Sequence, residues 1–402
     1  MADYSLRSDF VKQLDRDILE FVHRGIENRD GKRFNQLALR EFELQYHTIE
    51  PYRRYCKKKG ISPKLVSRWE EIPAVSSFAF KKILLSSSPA KKAEDTYLMS
   101  GVVDVKNRRR GPIYPDKKAL ELMNTANGLL AKAFLFPDVE KMKMLLMVPS
   151  PKMAPGMVMA SGSKHIKLRF GTPDSLFLIS FRGLNLKTLL SALRQAEENQ
   201  QSLTLIGATS GFDYFFNACE KDGIRFNLPK GSRICDSGGY MGRYTRCSKE
   251  EYLRKCREIL DVEGDFCINA LWICESSTVY FDNVLKNSFS GVKKGRCKEV
   301  PPWCKIIVVD PRDFKRLPKG KIGLLRHYDL TNRAMAFAVQ TDKVGFETED
   351  GFEVMGKWDK NIGKANIDYS APHPGGRMVT QAMDYFMRRK LSNIRKIYSC
   401  LK

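Results

Sequence analysis

Two segments hold the residues best suited to chemistry: LPKGSRICDSGGYMGR (Leu228–Arg243) and NALWICESSTVYFD (Asn269–Asp282). In the first, Gly238, Gly239 and Gly242 follow the apolar-flanked run RICD, where missing Cβ atoms permit tight turning or close approach of a ligand to the backbone. In the second, Glu275 directly follows Leu-Trp-Ile-Cys, which reads as the end of a buried strand. A carboxylate there either pairs with a base or supplies a hard oxygen to Mg²⁺. Together the two segments lead us to expect a nucleotide site for ATP and Mg²⁺, although a strand-to-helix turn and a structural ion pair also account for them.

Three further places fit such a site. TYLMSGVVDVKNRRRG (Thr96–Gly111) offers small residues, Ser100 and Gly101, and then the cations Lys106, Arg108, Arg109 and Arg110. Phosphate cradles combine exposed backbone N–H groups with hydroxyls or cations. Val102, Val103 and Asp104, however, stand where a cradle would carry Thr, Thr and Gly, and an ordinary basic loop reads equally well. QTDKVG (Gln340–Gly345) puts Asp342 at an expected strand end beside a Gly turn, where an acid can grip a ribose diol or simply serve the turn. Lys357 follows GFEVMG, as a cation for phosphate or for solvent.

The elements that must position these residues read as α/β. Over residues 5–60, Leu14, Ile18, Phe21, Val22 and then Phe34, Leu37, Ala38, Phe42 recur mostly at spacings of three and four, predicting a helical layer. The runs MLLMVP (144–149), SLFLIS (175–180), SLTLIG (202–207) and CKIIVV (304–309) read as buried, parallel strands. Helices are expected at 119–136, 186–199, 212–222 and 249–260, the last opened by Ser248 with Glu251 three residues on, a capping box. After Lys319, GLLRHYDL, MAFAVQTD and GFEVMG suggest a small antiparallel unit, and 378–398 a final basic helix carrying Val379, Met383, Phe386, Leu391 and Ile394. GKWDKNIGK (356–364) is the best boundary. It predicts a large domain over 1–355 and a small, mobile one over 356–402, hinged at Gly356–Lys357.

Composition narrows the partners. The chain has 402 residues, 43% of them hydrophobic, enough for a sizeable core. The N-terminus mixes charge into every turn, and no apolar stretch reaches the roughly 20 residues of a membrane span, so we expect no signal peptide and a cytoplasmic protein. Ten cysteines without a C-x-x-C pair predict reduced thiols, with neither a zinc site nor a disulfide framework. With 69 Lys and Arg against 46 Asp and Glu, the net charge is +23, which favours polyanions. The basic clusters at 57–59, 108–110, 293–294 and 388–390 lack the interleaved aromatics of a nucleic-acid platform. Anionic cofactors and acidic carrier proteins suit this charge better.

In order, IPAVSSFAFKKILL, TYLMSG, FNLPKGSRICDSGGYMGR, INALWICESSTVYFD, IGLLRHYDLTNRAMAFAVQTDKVG and GFEVMGK resemble the acyl-protein synthetases of bacterial bioluminescence (the LuxE type). These are relatives of phenylacetate-CoA ligase among the AMP-forming adenylating enzymes, and the resemblance spans about residues 70–370. It implies an adenylating fold, with Ser237, Gly238, Gly239 and Tyr240 lining adenine and Glu275 binding magnesium. It also implies Asp342 on the ribose hydroxyls, Cys274 at the α-phosphate position, and Lys357 for the Arg of the Gly-Arg hinge. A carboxylic acid, fatty or aromatic, would be activated as acyl-AMP and passed to a thiol of CoA, an acyl carrier protein or a partner protein.

The departures are specific. The family's Ser-Gly-Thr-Thr-Gly loop is Ser100-Gly101-Val102-Val103-Asp104, and the Thr of Tyr-Gly-x-Thr-Glu is Cys274. The family's acyl-carrying cysteine after the hinge matches Gly363-Lys364-Ala365-Asn366, which has no thiol, so self-acylation there is not expected. Two alternatives follow from different classes: an adenylating fold that serves only as a binding or partner subunit, and a basic nucleic-acid-associated protein. Aromatic walls for an acid pocket are expected near Phe212, Phe215, Tyr240 and Trp272, unless these are core.

Overall fold

A computed structural model describes residues 3–88, 90–98, 112–240, 247–358, 367–368, 387 and 389–401. The chain divides into two compact units: Met1–Leu130 with Trp272–Tyr280 and Glu299–Trp358, and Ala131–Leu271 with Phe281–Lys298 and Asp359–Lys402.

In the first unit the helical layer consists of Asp9–His23, Gly31–Thr48 and Glu50–Lys58. Ser8 and Asp30 cap the first two, their side chains accepting from the N–H groups of Val11 and Arg33. Val11, Leu14, Ile18, Phe21 and Val22 make one buried stripe, as their spacing predicts. A buried Arg333 ties the layer down, its Nε 2.8 Å from Asp15 and its Nη1 2.9 Å from Asp116. Burial pushes the neighbouring Glu41 carboxyl up to about 8.

The sheet of this unit is built from Cys304–Val309, Gly323–Asp329, Ala338–Glu347 and Gly351–Trp358, each antiparallel to the next, with Val75–Ser76 running parallel to Ala338–Glu347. This corrects the reading of 304–309 as a parallel strand, which instead joins the antiparallel strands expected after Lys319. A continuous apolar run reports burial on both faces; strand direction comes from the connection.

The second unit does carry a parallel sheet. Cys267–Leu271, Arg233–Ser237, Leu203–Ala208, Lys143–Pro149 and Leu176–Ser180 lie side by side in that order, all parallel, and Gly183–Leu184 adds an antiparallel edge. Strand 143–149 is first in sequence and lies inside, so the chain runs outward on one side and then returns to the other. Such a switch makes the carboxyl ends of the strands the place to seek ligands.

Helices Leu186–Glu198, Thr209–Asp222 and Lys249–Leu260 flank this sheet, the last bounded as read, with the Ser248 side chain accepting from Glu251 N–H. Phe212 and Phe215 belong to its core and are at most 1% exposed, which settles them as packing residues rather than pocket walls. Met387, Leu391 and Ile394 join the same core, and helix Ile394–Ser399 packs on helices 186–198 and 209–222. Gly356 and Lys357, read as a hinge, lie inside strand Gly351–Trp358.

All ten cysteines are free thiols: eight buried, Cys274 half-buried and Cys400 exposed. Among the described residues no group of three or more His, Cys, Asp and Glu side chains could hold a metal ion, and no helix is long and apolar enough to cross a membrane.

Candidate active site

In the second unit, strand Arg233–Ser237 ends at the glycine pair. Gly238 has φ +143°, and a Cβ there would lie 2.9 Å from Thr209 Oγ1, so both backbone and space demand glycine. Gly238 and Gly239 are exposed, and a Cβ on Gly239 would meet nothing within 4 Å. Tyr240 is half-buried, its ring 5.3 Å from that of Tyr252. Met241 and Arg243 lie outside the described residues.

Beneath the turn lies a buried polar network. Thr209 Oγ1 and Asn269 Nδ2 both donate to Asp236, whose carboxyl burial raises to about 6. Asn269 Nδ2 also donates to the Gly238 carbonyl at 3.2 Å. Lys298 Nζ donates to Asn269 Oδ1 at 2.8 Å and to Asp282 Oδ1 at 3.0 Å, while Arg296 Nη1 reaches Asp282 Oδ2 at 3.0 Å. Burial alone would raise the Asp282 carboxyl; Lys298 and Arg296 outweigh it and hold it below its ordinary value. Asp236, Asn269 and Lys298 went unremarked in the sequence as site residues, because the contacts joining them span up to 33 positions.

In the first unit, Glu275 is buried, in a turn rather than at a strand end, since the strand stops at Leu271. Side chains grip the backbone around it. Asn332 Nδ2 donates to the Glu275 carbonyl at 3.1 Å, and Asn332 Oδ1 accepts from Ser277 N–H at 2.7 Å. Asp329 Oδ2 accepts from Ser276 Oγ and Thr278 N–H, and Asn127 Oδ1 from Val279 N–H. A turn so clamped holds its carboxylate in a defined place. Cys274 is half-buried on the same turn.

Asp342 sits within strand Ala338–Glu347, not at a strand end, and the expected Gly345 turn is a bulge. There a Cβ would lie 2.0 Å from the Glu353 carbonyl oxygen, so glycine permits close strand approach and not chain reversal. The next residue, Lys343, stands directly opposite Lys357 across the ladder. Burial, and then Lys357, pull the Lys343 ammonium down to about 8, against Asp342 and Glu275, which favour its charge. Glu275, Asp342 and Lys357 thus share one electrostatic neighbourhood around Lys343, a residue the sequence reading passed over. Ser100, Gly101 and Lys106 lie outside the described residues.

The sequence profile of the acyl-protein synthetase family (LuxE) matches residues 13–370. The chain belongs to this family. It is 23% identical over 327 residues to the long-chain-fatty-acid–luciferin-component ligase of Aliivibrio fischeri, covering 78% of this chain and 79% of that one. With the ligase of the same name from Vibrio harveyi it shares 20% over 327 residues, 79% of each. In fold it is similar to 2-hydroxyisobutyryl-CoA ligase in the postadenylation state in complex with R3-HIB-AMP, with TM-score 0.56 and 12% identity over 80% of this chain and 65% of that one.

This acyl-protein synthetase is therefore an ATP-dependent, AMP-forming ligase, which activates an acid as acyl-AMP and passes the acyl group to a thiol acceptor. Its residues fit ATP in kind. An exposed glycine pair ends a parallel strand in one unit, and two carboxylates with two opposed lysines lie close together in the other.

Proposed function

We propose that this acyl-protein synthetase activates a fatty acid and delivers it to a cysteine of an acidic partner protein. Glu275 binds the Mg²⁺ that accompanies ATP, Asp342 grips the ribose, and Ser237, Gly238, Gly239 and Tyr240 line adenine. Mg²⁺ uses one or two carboxylates together with substrate phosphates, so a single well-held Glu275 suffices. The observation that carries the reading is the clustering of Glu275, Asp342 and Lys357 around Lys343, which supports phosphate and ribose binding by that unit.

In the first step a carboxylate oxygen of the acid attacks the α-phosphorus of ATP, and the bond to pyrophosphate breaks. Lys343 and Lys357 offset the negative charge that gathers there, with Lys106, Ser100 and Gly101 also serving the phosphates. Cys274, in place of the family Thr, offers the α-phosphate a weaker donor than a hydroxyl. In the second step the acceptor thiolate attacks the acyl carbonyl, AMP leaves, and the thiol proton passes to water.

The relatives named for long-chain fatty acids support a fatty substrate, and the net charge of +23 supports an acidic acceptor. The test follows radiolabelled fatty acid from ATP to three acceptors: CoA, an acyl carrier protein and an acidic partner protein bearing a reactive cysteine. Thioester on the protein acceptor, formed more slowly as salt rises, is expected. Transfer to CoA alone, indifferent to salt, would refute the acceptor assignment.

A further inference from the structure

The side chains beneath the glycine turn carry one more inference, which rests on the reading of Gly238–Gly239 as the adenine wall. Lys298 is 4% exposed and far in sequence from the turn, yet the hydrogen bonds lead from one to the other. Asp282 accepts from Lys298 Nζ at 3.0 Å, Lys298 donates to Asn269 Oδ1 at 2.8 Å, and Asn269 Nδ2 donates to the Gly238 carbonyl at 3.2 Å.

Donor and acceptor types give this relay a direction. An ammonium can only donate, so it takes the amide oxygen of Asn269 and turns the NH₂ group toward the Gly238 carbonyl and Asp236, which as carbonyl and carboxylate only accept. An amide without that ammonium has two orientations, one of which sets its oxygen against two other oxygens. Holding the Gly238 carbonyl inward has a consequence on the other side. Across a trans peptide the carbonyl and the next N–H point in opposite directions, so the Gly239 N–H is turned away from Asn269, on a residue that is itself exposed. An N–H turned away from the protein's own acceptor network is a donor that a heteroaromatic ring nitrogen can use.

We propose that Lys298 is a positioning residue for nucleotide recognition: through Asn269 it orients the Gly238–Gly239 peptide so that the Gly239 N–H faces the base. The relay ends at the Gly238 carbonyl, so the effect proposed for it falls on the nucleoside.

Two double variants test this while keeping the buried charge balanced. Lys298→Met with Asp282→Asn removes the donor, whereas Lys298→Gln with Asp282→Asn retains an N–H for Asn269 Oδ1. The Met form should raise the KM for ATP about tenfold, with kcat and the KM for the acid within about twofold, as for a lost oriented hydrogen bond. The Gln form should stay within about threefold of the parent, and tripolyphosphate, which lacks a base, should bind all forms equally by calorimetry. Equal ATP KM in the Met and Gln forms, both with parental circular dichroism, overturns the proposal, as does a matching loss for tripolyphosphate or the acid. Gly239→Leu separates this from failure of the underlying reading. If that variant binds ATP normally, the adenine assignment falls; if it does not, while Met and Gln agree, only the role of Lys298 falls.

Discussion

At the scale of single residues, charge and placement give each side chain a task that a variant can remove. Glu275→Gln keeps the shape of the clamped turn but removes the charge that magnesium requires, and Asp342→Ala removes the ribose acceptor. Each should slow ATP–pyrophosphate exchange by at least about tenfold, roughly 1.4 kcal/mol of transition-state stabilisation. Parental rates in both would dismiss the assignment. Lys343 adds a pH signature. Its ammonium, pulled down to about 8 by burial and by Lys357, loses charge as the pH rises through that value. If that charge holds phosphate, the KM for ATP should climb between pH 7 and 9 in the parent and stay level in Lys343→Met; parallel profiles would exclude the role. Glu275 and Asp342 were singled out in the sequence by residue type, although both lie in other settings than the strand ends expected of them; Lys343 was not singled out. Its partner stands across a strand ladder, a relation fixed by register and invisible to local spacing.

Elements read well wherever a local period determined them. The helices Leu186–Glu198 and Lys249–Leu260 and the strand Cys304–Val309 begin and end within a residue of the sequence expectation, because apolar spacing and caps are local signals. Direction and bulging are not local, hence the corrections at 304–309 and Gly345. The Gly345 bulge yields its own prediction. Because a Cβ there would come within 2.0 Å of the Glu353 carbonyl oxygen, Gly345→Ala cannot be absorbed by a rotamer change. It should lower the urea midpoint by the equivalent of at least about 2 kcal/mol, as expected for backbone overpacking, and an unchanged midpoint would refute this account of the bulge.

Helix Gly31–Thr48 supplies a pH-dependent counterpart through Glu41. Its folded carboxyl, raised to about 8 by burial, binds a proton that the unfolded chain releases near its ordinary value of 4.5. The resulting stability is present below 4.5 and lost as pH rises toward 8. Glu41→Gln should therefore match the parent in Tm near pH 4.5 and exceed it at pH 8.5. An equal Tm difference at both values would contradict the shift.

At the scale of the whole molecule, the chain folds as two compact units: one on a parallel sheet that ends in the glycine turn, the other on an antiparallel sheet that carries Asp342 and the paired lysines. The family was readable in the order of the motifs, and the fold class in the alternation of short apolar runs with helical periods. The compact units were less so, because each is assembled from three separated stretches of chain. Residues near the C-terminus illustrate the point: Met387, Leu391 and Ile394 join the core of the second unit, although nothing in their local sequence names that partner.

The central claim is that this chain forms acyl-AMP despite Val102, Val103 and Asp104 where the family motif has Thr, Thr and Gly, and Cys274 in place of Thr. It is tested most directly by exchange of labelled pyrophosphate into ATP with Mg²⁺ and a panel of carboxylic acids from short to long chain. The account predicts exchange that depends on the acid and is strongest with fatty acids. ATP binding by calorimetry with no exchange for any acid would contradict it, and would mark the chain as an adenylating fold kept for binding alone.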